Sequence, residues 1–326
     1  MPYTSPEESI PLILKYLPAL PHWPQLPKRS IKENMYIQFS EGFPGISLRE
    51  NNLIVEQKEI FYDEIEQLIN NYDNNDFHSY RVSSDYASGL YSFTDQQFPN
   101  ALALKGQITG PLSWGLCVKD TRGIPIIYDD LFGELIGKFL KLKASWQENL
   151  LKEVLPETII FIDEPYLSSI GSVFITLPQD TIKSLMEEVL SGIKGFKGVH
   201  CCGNTDWSLL LNSSINILSF DAYNYGDSLG LYINDLLSFL NRGGVIAWGI
   251  VPNDEEIIEL ETVQSLCDRL LKNINPLLEV GFSREDILKQ SLLTSSCGLA
   301  SLTPCGVEKV LASLSILSRE IQDKYL

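Results

Sequence analysis

From residue 100 onwards, the chain alternates short apolar runs with longer amphipathic ones. Runs of strand length occupy residues 103–109, 158–163, 197–202, 215–221, 244–250 and 291–297. Between and after them, apolar positions recur at helical spacing in residues 129–153, 179–194, 206–212, 228–241, 255–280 and 306–324. Because largely apolar strands that alternate with helices are typical of parallel sheets covered by helices, this pattern predicts a parallel α/β fold.

The first hundred residues have a less regular pattern. Helical spacing of apolar residues predicts helices over 5–17 and 57–72. The proline-rich stretch 18–27 predicts an extended or turn-rich connection, in which His22 is expected to be a surface or packing residue. Six or more strand–helix units favour a (β/α)8 barrel of the TIM type. Since no linker or repeat interrupts the pattern, residues 1–326 are predicted to form a single barrel domain.

Composition narrows the function classes. The chain has 326 residues, is 44% hydrophobic and carries a net charge of −17, which argues against binding to nucleic acid. Its N-terminus lacks the pattern of a signal peptide, and no apolar run is long enough to span a membrane. Six cysteines without an export signal predict a cytoplasmic protein whose thiols are free or bind a metal.

Candidate metal ligands collect where the predicted strands end. Alternate side chains of a strand share a face, so His200 and Cys202 point one way and Cys201 points the other way, into the core. Cys297 and Asp221 end two further strands, and the carboxyl ends of barrel strands form one rim. Two thiolates and an imidazole favour zinc, with Asp221 as a fourth, oxygen ligand. The alternative is that the cysteines are small buried hydrophobes and His200 is a core histidine.

Asp163 and Glu164 follow another apolar strand and precede Pro165. A carboxylate at a strand–helix junction often caps the following helix. It can equally hold a cationic substrate group, such as an α-amino group. The residues alone leave both interpretations open.

The strand ends resemble the zinc set of the cobalamin-independent methionine synthase family. The matching segments are His200-x-Cys202, Asp221 in Phe-Asp-Ala, Cys297 in Ser-Cys-Gly-Leu, Asp163-Glu164-Pro165 and Thr109-Gly110-Pro111. The zinc ligand positions occur in order and at suitable spacing, and the resemblance covers most of the chain. The wider superfamily also includes uroporphyrinogen decarboxylase and the methylcobalamin:coenzyme M methyltransferases.

This resemblance implies a barrel with zinc at its rim and a thiol substrate that is bound as the thiolate and attacks a methyl group. Homocysteine would be the substrate and methionine the product. Asp163 would pair with the homocysteine ammonium group, beside Glu164 as a second substrate-binding residue. Asp163 and Asp221 would be the catalytic residues. Asp221 would act as a zinc ligand whose carboxylate oxygen can yield its position to the incoming sulfur.

The chain departs from the family pattern in three respects. Asp221 stands where the folate-dependent enzymes have Glu. The Gly-Ser-aromatic/aliphatic-Pro motif of the first strand is incomplete, with Met1-Pro2 where its end should be, so a truncated first strand is expected. The folate-dependent synthase has two barrels, whereas this chain is long enough for one. We therefore expect a methylated corrinoid, methylcobalamin or a corrinoid protein, as the methyl donor.

Other functions remain open at this stage. A methylcorrinoid:coenzyme M methyltransferase would use the same zinc chemistry but would not need Asp163 to hold an amino group. A folate-dependent methionine synthase would differ in its methyl donor. A decarboxylase of the porphyrin type is disfavoured, because the rim residues are acidic and thiol-bearing rather than basic. A non-catalytic zinc- or corrinoid-binding protein is the alternative from another class.

Overall fold

A computed structural model describes residues 1–172 and 175–326. Its strands are β1 (Ile46–Arg49), β2 (Asn52–Val55), β3 (Leu104–Thr109), β4 (Lys119–Asp120), β5 (Thr158–Asp163), β6 (Phe196–Cys201), β7 (Ile217–Phe220), β8 (Val245–Val251) and β9 (Ser291–Ser295). Six of them form a parallel sheet in the order β3-β5-β6-β7-β8-β9, and β1, β2 and β4 form a small second sheet. Each of the six predicted strand segments overlaps one strand of the parallel sheet, with bounds that differ by at most two residues, so the predicted α/β class is confirmed.

Helices connect these strands. The α-helices are α1 (Pro6–Tyr16), α2 (Met35–Gln38), α3 (Phe61–Asp73), α4 (Ser88–Thr94), α5 (Pro111–Cys117), α6 (Asp130–Lys152), α7 (Gln179–Leu190), α8 (Trp207–Leu211), α9 (Ala222–Tyr225), α10 (Ile233–Asn241), α11 (Glu255–Leu260), α12 (Val263–Asn273), α13 (Asn275–Glu279), α14 (Arg284–Lys289) and α15 (Pro304–Tyr325). Short 3-10 helices occupy Ile31–Glu33, His78–Tyr80, Ile126–Tyr128, Pro165–Ser169 and Gly226–Tyr232. None of the described helices is long and apolar enough to cross a membrane.

The predicted continuous helix over 255–280 is divided into three. Glu261 is extended, and Thr262 then begins α12 with a capping box that it forms with Ser265. The second break falls at Ile274, just before Pro276, which occupies the first turn of α13. A capping residue and a proline therefore set boundaries that the run of apolar residues does not reveal.

The parallel sheet curls around its inner face. Side chains on this face form one buried cluster of Ala103, Ile159, Phe161, Ile217 and Ala247. The partly buried residues Leu20, Val245 and Leu292 pack against it. The intervening residues, such as Ile160 and Ile162 of β5, face the helices and join the main hydrophobic core. Side chains from non-neighbouring strands can meet in one inner cluster only because the sheet bends towards itself.

The proline-rich segment 19–23 runs alongside β3. The carbonyl oxygen of Ala19 accepts a hydrogen bond from Leu102 N at 2.8 Å, that of Pro21 accepts one from Lys105 N at 2.9 Å, and His22 forms a parallel bridge with Lys105. Because prolines lack an N–H group, this segment pairs largely as an acceptor. In residues 1–172 and 175–326, the parallel pairing extends from this segment to β9. A closed eight-stranded barrel with a truncated first strand remains a prediction.

Candidate metal and substrate site

The candidate site residues lie on the inner face of the curled sheet, at the carboxyl ends of the strands. Across the sheet, Thr109, Asp163, His200 and Ser219 are paired in register. Paired residues of parallel strands share a face. Asp163 lies two residues beyond Phe161, which belongs to the inner cluster, so this row of side chains also points inward.

His200, Cys202 and Cys297 come together at this end of the sheet. The Cys297 thiol is hydrogen-bonded to the side chains of both His200 and Cys202, although it follows a strand at the far end of the sheet order. The His200 ring has a second contact, through Nδ1, which lies 3.0 Å from Ser219 Oγ. Cys201 is fully buried on the opposite face, so the prediction that it belongs to the core is confirmed.

The contacts among these three side chains shift their proton affinities. The hydrogen bond from Cys297 lowers the pKa of Cys202, while the same contact and burial raise the pKa of Cys297 to about 12. Burial alone would lower the pKa of His200, but its hydrogen bond to Cys297 and the nearby Asp163 carboxylate raise it. The two thiols therefore differ in acidity, as expected for neighbouring titratable groups that interact strongly.

Asp221 lies at the end of β7 and is almost fully buried. Its Oδ1 accepts a hydrogen bond from Asn224 N at 3.0 Å, and its Oδ2 accepts one from Asn224 Nδ2 at 2.7 Å. Asp221 is close enough to Cys202 to act on its proton affinity electrostatically. The carboxylate therefore caps the start of α9, and each of its oxygens still has a lone pair for a further partner.

The donor set fits a zinc ion in its chemistry. Two sulfurs and an imidazole are ligands that zinc prefers, and the contact between His200 Nδ1 and Ser219 orients the ring. In residues 1–172 and 175–326, however, no group of three or more His, Cys, Asp or Glu side chains has the spacing of a metal site. The observed contacts are those of hydrogen-bonded thiols, which a cation would replace by binding both sulfurs as thiolates.

Asp163 and Glu164 have different surroundings. Asp163 faces the inside of the sheet, keeps some of its surface accessible and lies close to His200 and Lys105. Burial raises the pKa of Asp163, and the two basic neighbours oppose this rise. Of the two carboxylates, Asp163 is the one that can meet a bound substrate.

Glu164 points the other way, into the core, and is fully buried. Its carboxylate accepts hydrogen bonds from Leu112 N at 2.8 Å, from Ser113 N at 2.9 Å and from Ser113 Oγ at 2.5 Å. Burial raises its pKa to about 7 despite these contacts. Glu164 thus holds the first turn of α5, and the structure does not support the predicted direct contact between Glu164 and substrate.

Gly110 is required for this arrangement. A Cβ atom at Gly110 would lie 2.1 Å from Glu164 Oε1, which is closer than any non-bonded contact. The glycine in Thr109-Gly110-Pro111 therefore makes room for the glutamate in Asp163-Glu164-Pro165. The two segments are structurally one unit, which fixes Glu164 on the outer face and leaves Asp163 on the inner one.

Sequence reasoning missed several polar residues on the inner face. Lys105 and Gln107 lie on β3 below Thr109, and Ser219 lies on β7 beside His200. His22, which was expected to be a surface or packing residue, is enclosed beside Lys105, and burial lowers its pKa to about 3. The available signal was the lysine and glutamine at alternate positions of an otherwise apolar strand segment, which is unusual for a buried parallel strand.

This architecture, a curled parallel sheet with helices outside and polar residues at the strand ends, is consistent with α/β folds of the TIM type. A methyltransferase from Methanosarcina mazei superposes with a TM-score of 0.58 at 15% identity, over 98% of this chain and 86% of that one. A Listeria monocytogenes protein assigned as a vitamin-B12-independent methionine synthase gives a TM-score of 0.51 at 13% identity, over 87% of this chain and 77% of that one. At such identities the likeness shows a shared fold alone. No family model and no curated protein matches the chain.

Proposed function

We propose that this protein is a zinc-dependent methyltransferase that moves a methyl group to the sulfur of homocysteine. The observation that carries the proposal is the convergence of His200, Cys202 and Cys297, from two distant parts of the chain, at the carboxyl end of the sheet. The fold shared with a methyltransferase and with a protein assigned as a methionine synthase supports it.

In this proposal His200, Cys202 and Cys297 hold the zinc ion, and Asp221 is the ligand that gives way to substrate. Bound zinc would lower the pKa of the substrate thiol, so that sulfur is presented as the thiolate nucleophile. Ser219 orients the His200 ring, and Asp163 holds the ammonium group of the amino acid.

The methyl donor in the proposal is a methylated corrinoid, free or on a corrinoid protein. The sulfur lone pair would form the new S–C bond with the methyl carbon, and the electron pair of the broken cobalt–carbon bond would remain with the corrinoid. The thiol proton is lost when sulfur becomes the thiolate. A coenzyme M methyltransferase would follow the same steps on a thiol without an amino group, and a folate-dependent enzyme would differ only in the donor.

Two measurements test this proposal. Metal analysis should find one zinc ion per chain in wild type, with loss of zinc in Cys202→Ser and Cys297→Ser and retention in the matched control Cys267→Ser, whose buried thiol lies in α12. Incubation with methylcobalamin and homocysteine should yield methionine, and methyl-folate and coenzyme M should then be substituted in turn. Fresh protein with intact thiols and no zinc would refute the proposal. Zinc binding without methyl transfer to any thiol would instead indicate a binding protein.

A further inference from the structure

Lys105 is a cation inside the curled sheet, below the candidate metal site. It is paired in register with Ile159, a member of the inner cluster, and its Nζ lies 4.8 Å from the centroid of the Phe161 ring. Gly198 permits this ring position, since a Cβ there would lie 2.7 Å from Phe161. Because Asp163 lies two residues beyond Phe161 on the same face, the ammonium group is directed towards the carboxyl end of the sheet.

Among the described residues, no carboxylate forms an ion pair with this ammonium group. In residues 1–172 and 175–326, none of the ion pairs within 4.0 Å includes Lys105, and its Nζ donates one hydrogen bond, to Gln107 Oε1 at 3.2 Å. The nearest acidic influence is Asp163, which raises the pKa of Lys105 against the larger effect of burial. A cation with a single neutral partner inside a protein is costly unless something else pairs with it.

We propose that Lys105 binds the carboxylate of an α-amino-acid thiol whose ammonium group is bound by Asp163. The inference rests on the proposed function and adds an anchor for the acidic end of its substrate. Lys105 and Asp163 lie close enough to interact electrostatically, but among the described residues neither belongs to an ion pair within 4.0 Å. A zwitterion supplies both partners at once, and its sulfur is then free to point to Cys202 and Cys297.

The two anchors together distinguish amino-acid thiols from simpler ones. A thiol with an anionic group alone, such as 2-mercaptoethanesulfonate, satisfies Lys105 and leaves the Asp163 carboxylate without its partner. A thiol with an ammonium group alone does the reverse. Since leaving a buried charge unpaired costs binding free energy, homocysteine should bind more tightly than either kind of partial analogue.

The experiment compares Lys105→Met with wild type, using the zinc-loaded protein and three thiols of matched length. These are homocysteine, 4-mercaptobutyrate, which lacks the ammonium group, and 3-aminopropanethiol, which lacks the carboxylate. Dissociation constants are measured by calorimetry. We expect Lys105→Met to weaken the binding of homocysteine and of 4-mercaptobutyrate by about 10- to 100-fold, the range for one charge-assisted hydrogen bond. The dissociation constant of 3-aminopropanethiol should stay within about 2-fold of its value for wild type.

A matched control is available in Lys143→Met. Lys143 is a fully buried lysine whose Nζ donates to the backbone carbonyl groups of Glu41 and Arg81, on the helix side of the sheet. This variant should bind all three thiols as wild type does. Unchanged binding of homocysteine by Lys105→Met would overturn the inference, as would an equal loss for all three thiols, which would indicate damage to the whole site.

A ligand without a thiol separates this inference from the proposed function. 2-Aminobutyrate has the amino acid group but cannot bind through sulfur, so its binding to metal-free protein reports the anchors alone. If zinc and methyl transfer are absent but 2-aminobutyrate binding is lost in Lys105→Met, the proposed function fails and the anchor stands. If methyl transfer occurs and Lys105→Met binds homocysteine like wild type, the anchor fails and the proposed function stands.

Discussion

The substitution Gly110→Ala puts a methyl group where the Glu164 carboxylate now lies. The added Cβ would be 2.1 Å from Oε1 and 2.2 Å from Cδ of Glu164, so the carboxylate must move. The φ angle of Gly110 is −74°, which suits alanine, and the backbone itself is therefore not strained. The effect of the substitution comes from the displaced glutamate.

The magnitude follows from the donors that Glu164 would release. Two backbone N–H groups, of Leu112 and Ser113, would be left inside the protein without an acceptor, while the Ser113 hydroxyl can rotate to another. Each buried donor without a partner costs about 1–3 kcal/mol. We therefore expect the free energy of unfolding to fall by about 2–6 kcal/mol, a large share of the roughly 5–15 kcal/mol typical of a folded protein.

Urea denaturation of four variants measures this effect. Glu164→Gln keeps the shape of the side chain but offers one acceptor oxygen in place of two, so it should also destabilise the protein. Because both substitutions break the same contacts, the double variant should lose little more than the worse single variant. Gly133→Ala is the control, since this helical glycine has only the Ile127 carbonyl oxygen nearby, at 3.7 Å, and alanine should stabilise α6 by up to about 1 kcal/mol.

The reasoning would be refuted by either of two results. The first is that Gly110→Ala retains the stability of wild type, which would mean that the carboxylate has room to keep its hydrogen bonds. The second is that the losses from Gly110→Ala and Glu164→Gln add in full, which would mean that they act on separate contacts.

Three further predictions concern the inner face and the core. Burial lowers the pKa of Lys143 from 10.5 to about 7. Between these two pH values the unfolded chain therefore binds a proton that the native chain does not. The free energy of unfolding should rise with pH in this window, by up to about 1.4 kcal/mol per pH unit from this group. Urea midpoints at pH 7, 8 and 9 should show this rise in wild type and lose it in Lys143→Met, and parallel profiles would contradict it. Ser219→Ala removes the partner of His200 Nδ1 and should weaken zinc binding by about 10- to 100-fold in a chelator competition, whereas an unchanged affinity would show that the ring needs no support. Asp163→Ala should abolish methyl transfer to homocysteine. If coenzyme M is the true acceptor, the same variant should keep transfer to coenzyme M. The rates of methyl transfer to the two thiols in this variant therefore identify the substrate.

The strands of the parallel sheet were predictable because each one lies in a short, largely apolar run of strand length. The break at Thr262 and the hairpin of β1 and β2 were not. The hairpin turns through Glu50 and Asn51 in left-handed conformations, without the glycine that usually marks such a turn. Local chemistry at single positions, rather than periodicity, decides such boundaries.

At the site, alternation along one strand correctly separated Cys201 from His200 and Cys202. The same rule could not decide between Asp163 and Glu164, because the chain leaves the strand there. The choice depends on contacts with α5, which is distant in sequence. Lys105 was missed because a long side chain in an apolar run is usually assigned to the surface, and only the curl of the sheet encloses it.

The adjacent carboxylates at the end of β5 make the length of this strand critical. Removing or adding one residue between Thr158 and Ile162 would turn every later side chain to the opposite face. Glu164 would then enter the interior and Asp163 would be directed at α5, where its shorter arm could not reach both N–H groups. A change of one residue in the length of β5 would thus remove the support that Glu164 gives to α5 and take the Asp163 carboxylate from the inner face at the same time.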